Sequence, residues 1–268
     1  MRQDNISRVK VGGFLTASIS RKKLAECMAN DCLRARQERE AWRPRVVLSS
    51  NGQGIALAGT DNRFMQVMAE ADIIHADGMP VVFASKVTRN PLPERIATTD
   101  FFHDAALSAI KYGLSFFILG SNEEQNKAAV AAIRELYPEL KIAGRRNGYF
   151  SEKSDALVCK EIRDSGADVL WVGLGKPKQE YWCIRNRENL RGIGWIKTCG
   201  GLYSFLAGDA PRAPGWMQTL GLEWLFRASK EPTRLGWRYF TTNPYALYRL
   251  LRCTEWSWMR DKKPDSYK

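Results

Sequence analysis

The segment ADVLWVGLGKPKQEYW, residues 167–182, indicates the class of fold. It begins with an apolar run, turns at Gly173 and Gly175, and continues through Pro177 into a polar stretch of helical character. A buried strand, a glycine-rich turn and a helix form the repeating unit of parallel α/β sheets. Proline is tolerated in the first turn of a helix because the N–H that it lacks has no partner there. The segment therefore predicts one strand–helix unit of such a sheet.

Five further apolar runs of the same kind occur along the chain, separated by amphipathic stretches. The predicted strands are residues 45–50, 72–77, 114–120, 140–144, 168–174 and 194–199, and the predicted helices include 62–70, 78–87, 122–137, 151–164 and 177–190. This alternation predicts a Rossmann-like parallel sheet with helices on both faces.

The composition is that of a globular protein with a surplus of positive charge. Of 268 residues, 44% are hydrophobic and 26% are charged, and 41 Lys and Arg against 29 Asp and Glu give a net charge of +12. This balance excludes a disordered chain and a collagen-like repeat. The surplus favours an anionic partner, whether nucleic acid, a lipid surface or a phosphorylated substrate.

The six cysteines and two histidines are scattered, without a CxxC pair or the spacing of zinc ligands. We therefore expect no metal site, reduced thiols and a cytoplasmic protein. The N-terminal residues are too polar for a signal peptide. No run of about 18 apolar residues is present to span a bilayer.

The character of the chain changes near Pro211. Residues 211–268 hold 11 Lys and Arg against 5 Asp and Glu, and they hold five of the nine tryptophans: Trp216, Trp224, Trp237, Trp256 and Trp258. Such side chains suit a membrane surface, where one end is apolar and the other hydrated. Helices that pack tryptophans onto the core are the alternative. No nucleic-acid-binding module is evident, and nucleic acid is not an expected partner. We divide the chain into a core, 1–210, and a basic, aromatic-rich helical C-terminal appendage, 211–268.

Ligands of open α/β sheets bind at the carboxyl ends of the strands, so these positions are the first candidates for a site. The first strand ends in SSNGQG, residues 49–54, where small polar residues and glycines suit phosphate or ribose binding, although a plain Asn-Gly turn fits equally well. The third glycine of a G-x-G-x-x-G fingerprint would fall at Leu57. A nucleotide-dependent oxidoreductase is therefore an alternative function rather than the leading one.

The second strand ends at Asp77, followed by Gly78. A carboxylate at the tip of an apolar strand can face a cleft and act as a general base, whereas an N-cap for the next helix is the alternative role. We expect His75 to lie on the opposite face of the strand and to be structural.

The two remaining strand ends carry positively charged residues and glycines, and the glycines allow a ligand to come close to the backbone. Lys176 and Lys178 flank a helix N-terminus that suits a diphosphate, and Gly200 and Gly201 follow the last strand. There is no Asp-x-Asp pair to hold Mg²⁺ and no nucleophile elbow. Charge neutralisation would fall to lysines and arginines that are otherwise typical of a solvated surface: Arg95, Arg227, Arg234 and Arg238.

In this order, these stretches resemble the family of bacterial glycosyltransferases named for WecG, TagA and CpsF. The similarity spans about residues 45–238. It includes PLPER (91–95), GYF (148–150), VGLGKPKQE (172–180), GGLYSFLAG (200–208) and RAPGWMQTLGLEW (212–224). Members of the family transfer a sugar from a UDP-sugar to a polyprenyl-diphosphate-linked sugar during synthesis of surface polysaccharide or teichoic acid.

The resemblance implies an inverting, metal-independent glycosyltransferase without a cofactor. Asp77 matches the proposed base, Arg95 matches an arginine that acts on the donor diphosphate, and Ser49 replaces the usual threonine. With the turn residues above, the predicted substrate-binding set is Ser49, Asn51, Lys178, Gln179, Gly200, Gly201, Arg227, Arg234 and Arg238.

The resemblance also implies partners. They are a UDP-sugar donor, a polyprenyl-diphosphate-linked acceptor and the inner face of the cell membrane, met through the appendage, with homo-oligomerisation as a further expectation. The donor sugar stays open among N-acetylmannosamine, its uronic acid and glucose. A non-catalytic module that binds anionic membrane through residues 211–268, and for which Asp77 is dispensable, is the third hypothesis.

Overall fold

The computed structural model describes residues 6–257, which hold eight β-strands. They are β1 (Arg8–Val11), β2 (Phe14–Ala17), β3 (Arg45–Ser50), β4 (Ile73–Ala76), β5 (Ser115–Gly120), β6 (Lys141–Arg146), β7 (Val169–Gly173) and β8 (Trp195–Thr198). Strands β3 to β8 form one parallel sheet in the order β4-β3-β8-β7-β5-β6, and β1 and β2 form a separate antiparallel hairpin.

All six predicted strands are present, and their ends lie within two residues of the predicted ones. Every residue of β3, β4, β5, β7 and β8 is buried, whereas β6 lies at an edge and is partly exposed. Strands that are covered on both faces read as nearly continuous apolar runs, which is why the sequence identified them.

Helices cover both faces of the large sheet. They are α1 (Arg21–Glu38), α2 (Gly52–Thr60), α3 (Asn62–Ala69), α4 (Met79–Ser85), α5 (Thr98–Tyr112), α6 (Glu123–Leu136), α7 (Asp155–Asp164), α8 (Lys178–Arg185), α9 (Leu202–Leu206), α10 (Gly215–Thr219), α11 (Glu223–Lys230) and α12 (Trp237–Arg252). The predicted helices correspond to α3, α4, α6, α7 and α8. The last two are shorter than predicted because 3₁₀ turns, Glu152–Ser154 and Glu188–Leu190, occupy the ends of the predicted ranges.

The core has two parts, one on each face of the sheet. Residues of α1, α5, α6 and α9 pack on the face that carries Trp171 and Trp195. Residues of α2, α3, α4, α7, α8 and α12 pack on the face that carries Val172 and Ile196. Successive strand residues point to opposite faces, so each strand contributes to both parts. This arrangement confirms the predicted α/β class with helices on both faces.

Within the described residues, the chain after residue 210 is helical and returns to the core. Helix α12 packs along α2, and Ala246 and Leu250 are buried in the same part of the core as Ile55. Beyond α12, the N–H of Glu255 donates to the carbonyl of Lys10 at 2.9 Å, which attaches this segment to the N-terminal hairpin. The division at residue 210 stays a prediction, and Trp258 lies outside the described residues.

None of the helices within residues 6–257 combines the length and the apolar character that crossing a bilayer requires.

Candidate active site

Asp77 directly follows β4 and is held by hydrogen bonds from two elements. Its Oδ1 accepts from the N–H of Thr98 at 3.0 Å, and its Oδ2 accepts from Nδ2 of Asn51 at 3.4 Å. Thr98 is the first residue of α5, so the carboxylate lies at the positive end of that helix dipole. The alternative role, an N-cap for the next helix, was wrong: the N-cap of α4 is Gly78, without a side-chain hydrogen bond, and Asp77 accepts from the start of α5 instead. The general-base role is compatible with this position. Among the described residues it forms no ion pair.

Asn51 and Ser49 bring the end of β3 to the same edge. Asn51 is the N-cap of α2: its Oδ1 accepts from the N–H of Gly54 at 3.0 Å while its Nδ2 faces Asp77. Ser49 is buried at the end of β3, and its carbonyl accepts from Nζ of Lys176 at 3.4 Å. The structure therefore brings Ser49, Asn51 and Asp77 together, as the sequence predicted.

Gln179 joins the turn after β7 to the turn after β8. Its Oε1 accepts from the N–H of Gly200 at 3.2 Å, and its Nε2 donates to Oε1 of Glu180 at 2.9 Å. The same Oε1 of Glu180 forms an ion pair with Nζ of Lys176 at 2.7 Å, and this pair is almost completely buried. Gln179 and Gly200 thus lie together as predicted. The Lys176–Glu180 ion pair holds the side chain of Gln179 in place through its hydrogen bond to Glu180.

Two buried groups of the site were not predicted in this role. Lys197, within β8, is completely buried, and His75, within β4, is likewise buried and packs on Phe101 of α5. His75 therefore faces α5, as Asp77 does. Our expectation of opposite faces was wrong because residues two positions apart along a strand share a face. For Lys197 the sequence did carry a signal, a charged residue inside the apolar run WIKTC.

Burial determines the protonation of the neighbouring thiol. It raises the pKa of Cys199, which follows β8, to about 12, against a smaller opposing effect of the hydrogen bond with Tyr203. The thiol is therefore protonated near neutral pH. A protonated thiol is a poor nucleophile, so Cys199 is not suited to form a covalent intermediate.

Arg95 binds the C-terminal helices. Its guanidinium donates to Oε2 of Glu223 at 2.7 Å, and it lies 3.5 Å from the carbonyl of Gln218. Glu223 begins α11, and Gln218 belongs to α10. The structure thus places Arg95 in an ion pair between the loop that precedes α5 and the helices that follow residue 214.

Lys178 lies apart from the Asp77 cluster. Its Nζ is 3.4 Å from the carbonyl of Gly148 and 5.6 Å from the ring centre of Phe150. It borders a cavity of about 290 Å³ that Asp77, Asn51 and Gln179 do not line; the lining residues are Arg63, Phe150, Glu152, Asp155, Pro177, Lys178, Tyr181, Trp182 and Arg185.

The late arginines differ in what they contact. Arg227, on α11, lies over the ring of Phe205 at 5.5 Å, and its Nη2 is 3.9 Å from the point where a Cβ of Gly201 would stand. The structure therefore brings Arg227 and Gly201 together. Arg238, near the start of α12, lies over the ring of Tyr239 at 4.9 Å. The side chain of Arg234 lies outside the described part of the chain.

The edge of the sheet that holds Asp77 can therefore bind anions and accept a proton. Helices α2, α5 and α8 begin there, and each helix N-terminus carries a partial positive charge. In residues 6–257, no three His, Cys, Asp or Glu side chains come together in a way that could hold a metal ion. Charged side chains at this edge include Asp77, Glu180, Lys176, Lys197 and, beside Gly201, Arg227.

Comparison with known proteins gives relatives that include two bacterial proteins of the same name. A protein of Bacillus subtilis (strain 168), named N-acetylglucosaminyldiphosphoundecaprenol N-acetyl-beta-D-mannosaminyltransferase, is 34% identical over 170 residues. A protein of the same name from Staphylococcus aureus (strain MRSA252) is 31% identical over 168 residues. Each match covers 63% of this chain and 65% of the relative, so the chain spans just under two thirds of the relatives' length.

A wider similarity covers nearly the whole chain. Residues 11–260 match the sequence profile of the glycosyl transferase WecG/TagA/CpsF family. The matched region contains all of the predicted site residues, including the Asp77 cluster and the late arginines. The protein therefore belongs to the glycosyl transferase WecG/TagA/CpsF family.

Proposed function

We propose that this chain transfers a hexose or N-acetylhexosamine from a UDP-sugar to a polyprenyl-diphosphate-linked saccharide in the synthesis of a cell-surface glycan. The observation that carries the proposal is the position of Asp77, a carboxylate that forms no ion pair within residues 6–257 and is oriented by Thr98 and Asn51 at the edge of the sheet where ligands bind in such folds. The names of the two relatives support it, and they favour N-acetylmannosamine as the transferred sugar.

In this proposal Asp77 is the general base. Its carboxylate takes the proton of the acceptor hydroxyl while that oxygen attacks the anomeric carbon of the donor sugar. The bond between the anomeric carbon and the diphosphate oxygen breaks, and UDP leaves with the electron pair. A single displacement inverts the configuration at the anomeric carbon. The hydrogen bond from Asn51 limits the directions in which the carboxylate can turn, which suits a base that must meet one hydroxyl.

The leaving UDP gains negative charge, so the site must supply positive charge where that charge develops. We assign this role to the helix N-termini of the sheet edge and to Arg227, Arg234 and Arg238, without a metal ion. Ser49, Asn51, Gln179, Gly200 and Gly201 contact the nucleotide-sugar. Arg95 acts on the diphosphate by exchanging Glu223 for the phosphate oxygens, because both offer the same oxygen acceptors to its guanidinium.

The test is the release of UDP from a set of UDP-sugars in the presence of a polyprenyl-diphosphate-linked N-acetylglucosamine acceptor and EDTA. We expect turnover with one donor, UDP-N-acetylmannosamine, and a product whose anomeric configuration, read by NMR, is opposite to that of the donor. Turnover that stops with EDTA would contradict metal independence. Binding of UDP without turnover of any donor, over a range of acceptors, would contradict transfer.

We also propose that the C-terminal helices hold the protein at the inner face of the cell membrane as a peripheral protein. Large apolar side chains of α10 and α12 are strongly exposed: Trp216 is 62% exposed, Trp237 69% and Phe240 74%. Trp237 and Phe240 stack at 6.1 Å beside an open groove of about 610 Å³ that is lined by Pro232, Thr233 and Gly236. Exposed aromatic residues among basic ones are typical of interfacial helices.

Replacing Trp237 and Phe240 together by serine is expected to lower binding to vesicles that contain anionic lipid. Loss of two apolar contacts should reduce the partition coefficient about tenfold or more. Co-sedimentation with vesicles measures it, and Leu136→Ser, at an exposed leucine of α6, is the matched control. An unchanged partition coefficient with an altered sedimentation coefficient of the lipid-free protein would assign the patch to self-association instead.

A further inference from the structure

The cavity of about 290 Å³ beside α8 is separate from the Asp77 cluster, because Asp77, Asn51 and Gln179 do not line it. Its walls come from α3, from the loop after β6, from the start of α7 and from α8. Concave sites that combine aromatic side chains with a few charged groups are the usual binding sites of small molecules. The residues of the lining therefore indicate which class of molecule would fit.

Charges of both signs border the cavity, and they are distributed unequally. The lining holds three cations and two carboxylates. Both carboxylates, Glu152 and Asp155, bind the same cation, Arg185, at 2.7 Å. Asp155 also accepts from Trp182 at 3.0 Å and from Asn186 at 2.9 Å, and the side chain of Glu152 is 80% exposed to water. The carboxylates are therefore satisfied within the protein or by solvent, and two cations remain.

The two remaining cations, Arg63 and Lys178, have no carboxylate partner among the described residues. Lys178 begins α8, whereas Arg185 ends it, and Nζ of Lys178 is 3.4 Å from the carbonyl of Gly148. Arg63, on α3, lies over the ring of Tyr181 at 4.8 Å. Lys178 and Tyr181 are three positions apart on α8 and share a face of that helix. Both cations therefore lie on the same side of the cavity, away from the carboxylates.

Three aromatic side chains, Phe150, Tyr181 and Trp182, supply apolar surface to the lining. Phe150 and Trp182 meet edge to face, with their ring centres 6.2 Å apart. The hydroxyl of Tyr181 donates to Asp61, the N-cap of α3, so this neighbouring carboxylate is also engaged within the protein. A molecule in the cavity would meet aromatic rings on one side and cationic N–H groups on the other.

We propose that the cavity binds a small organic phosphate, with the phosphate between Arg63 and Lys178 and the organic part on the rings of Phe150 and Tyr181. A guanidinium and an ammonium donate charge-assisted hydrogen bonds to phosphate oxygens, and among the described residues no carboxylate takes that place. Aromatic side chains pack against a ring-shaped organic group. Lys178 therefore serves a site apart from the Asp77 cluster. The inference does not rest on the proposed function.

Phenyl phosphate is the probe, because it combines one ring with one phosphate. Calorimetric titration of the full chain at about 0.15 M salt, which screens distant charges, should show one saturable site. Phenyl phosphate should bind there more tightly than inorganic phosphate, and an excess of UDP should not displace it. In the double variant Arg63→Gln, Lys178→Gln, the affinity should fall about tenfold or more, because two charge-assisted hydrogen-bond donors are lost. Both side chains are exposed, so the fold should be kept.

The matched control is the double variant Lys127→Gln, Arg134→Gln. It removes one exposed lysine and one exposed arginine from α6, which packs on the other face of the sheet, and it lowers the net charge equally. Its affinity for phenyl phosphate should not change. Phe150→Leu, which keeps an apolar side chain, should remove the preference for phenyl phosphate over inorganic phosphate, and this result does not depend on the charged variants.

Four outcomes would overturn the inference. They are absence of saturable binding, an unchanged affinity in the Arg63 and Lys178 variant, an equal fall in the α6 control, and displacement of phenyl phosphate by UDP. In the last case the probe would occupy the nucleotide site of the proposed reaction. Weaker binding of the Arg63 and Lys178 variant than of the α6 control to vesicles that contain phosphatidic acid would assign the phosphate to a lipid headgroup and overturn a free molecule. Sugar transfer is not a readout here, so the proposed function can fail without affecting this result.

Discussion

At the scale of single residues, the candidate site depends on how Asp77 is oriented. The carboxylate is fixed at one oxygen by the backbone N–H of Thr98 and at the other by the side chain of Asn51. Neither partner carries a full charge. These two hydrogen bonds hold the carboxylate in one orientation, and they leave it able to accept a proton from a substrate.

Asp77→Asn is expected to lower kcat about 1,000-fold, the size of effect that loss of a general base produces. The amide oxygen of asparagine can still accept from Thr98, so the start of α5 and the affinity for UDP should change little. Turnover measurements check the fall in kcat, and calorimetric titration with UDP checks that the affinity for UDP is kept. Asp164→Asn, at an exposed residue that is paired with Lys160, is the control. Loss of UDP binding in Asp77→Asn would contradict the assignment as base.

Lys197 gives a pH dependence of stability whose sign follows from its burial. Its pKa is about 8 in the folded protein against 10.5 for an ordinary lysine, so between these pH values the unfolded chain binds more protons than the folded one. The free energy of unfolding should therefore rise with pH through this window, by about 3 kcal/mol, relative to Lys197→Met. Urea unfolding of both proteins from pH 7 to 10.5 measures this difference. A difference that stays constant with pH would contradict it.

The residues of the site were predictable where the residue type and its neighbours in the sequence indicate a position at the end of a strand. Asp77 and Asn51 stand beside glycines at the ends of apolar runs, Gln179 follows a glycine-rich turn after another such run, and the structure brings the three to one edge. The ion pair between Arg95 and Glu223 was not predictable, because the two residues are 128 positions apart along the chain. Lys197 was missed because a lysine in a sequence indicates exposure by default.

At the scale of elements, the start of α8 depends on the buried Lys176–Glu180 pair. Glu180 lies in the first turn of α8, four residues after Lys176. The ammonium of Lys176 also donates to the carbonyl of Ser49, and this contact joins the turn before α8 to β3. Gln179 reaches Gly200 from the same turn. One ion pair thus maintains the spacing between the ends of β3, β7 and β8.

Glu180→Met is expected to lower the free energy of unfolding by about 3 kcal/mol or more, because it leaves the ammonium of Lys176 buried without its partner. The double variant with Lys176→Met should recover most of this loss, since two apolar side chains can pack in the same volume. Urea unfolding measures both. If the double variant is as unstable as the single one, packing rather than charge accounts for the effect.

Elements were predictable where their pattern is strong. The strands of the large sheet are built around apolar runs, and α3 and α6 carry apolar residues at helical intervals. The hairpin of β1 and β2 was missed because each strand has four residues, too few to establish an alternation. Helix α1 was missed because its sequence, RKKLAECMANDCLRARQE, distributes basic residues over most of its surface, and the sheet that buries its other side is not visible locally.

At the scale of the whole molecule, the C-terminal helices lie across the loops of the sheet edge. Arg95 binds Glu223 of α11, Arg212 binds Asp100 of α5, and Gly221 lies against Met79 of α4. These contacts place residues 212–227 over the ends of the strands. They are mostly polar, so this cover is less firmly attached than the core.

Arg95→Ala is expected to loosen this cover. Without the ion pair to Glu223, amide hydrogen exchange in residues 215–230 should become about tenfold faster, whereas exchange in β3 and β7 should stay unchanged. Mass spectrometry of peptic peptides measures the exchange. Arg145→Ala, which removes an exposed pair with Glu123 on the β6 side, is the control and should leave residues 215–230 unaffected.

The attachment of the C-terminal segment to the N-terminal hairpin has a consequence for how the molecule is made. The N–H of Gly12 donates to the hydroxyl of Thr254, 242 residues later, and the backbone N–H of Glu255 donates to the carbonyl of Lys10. During translation the hairpin leaves the ribosome before its partner, which follows 242 residues later along the chain. Helix α12, which packs on the helix that Asn51 caps, emerges after all six strands of the large sheet. The nascent chain can therefore assemble its sheet before the surroundings of its site are completed by α12 and the segment that follows it.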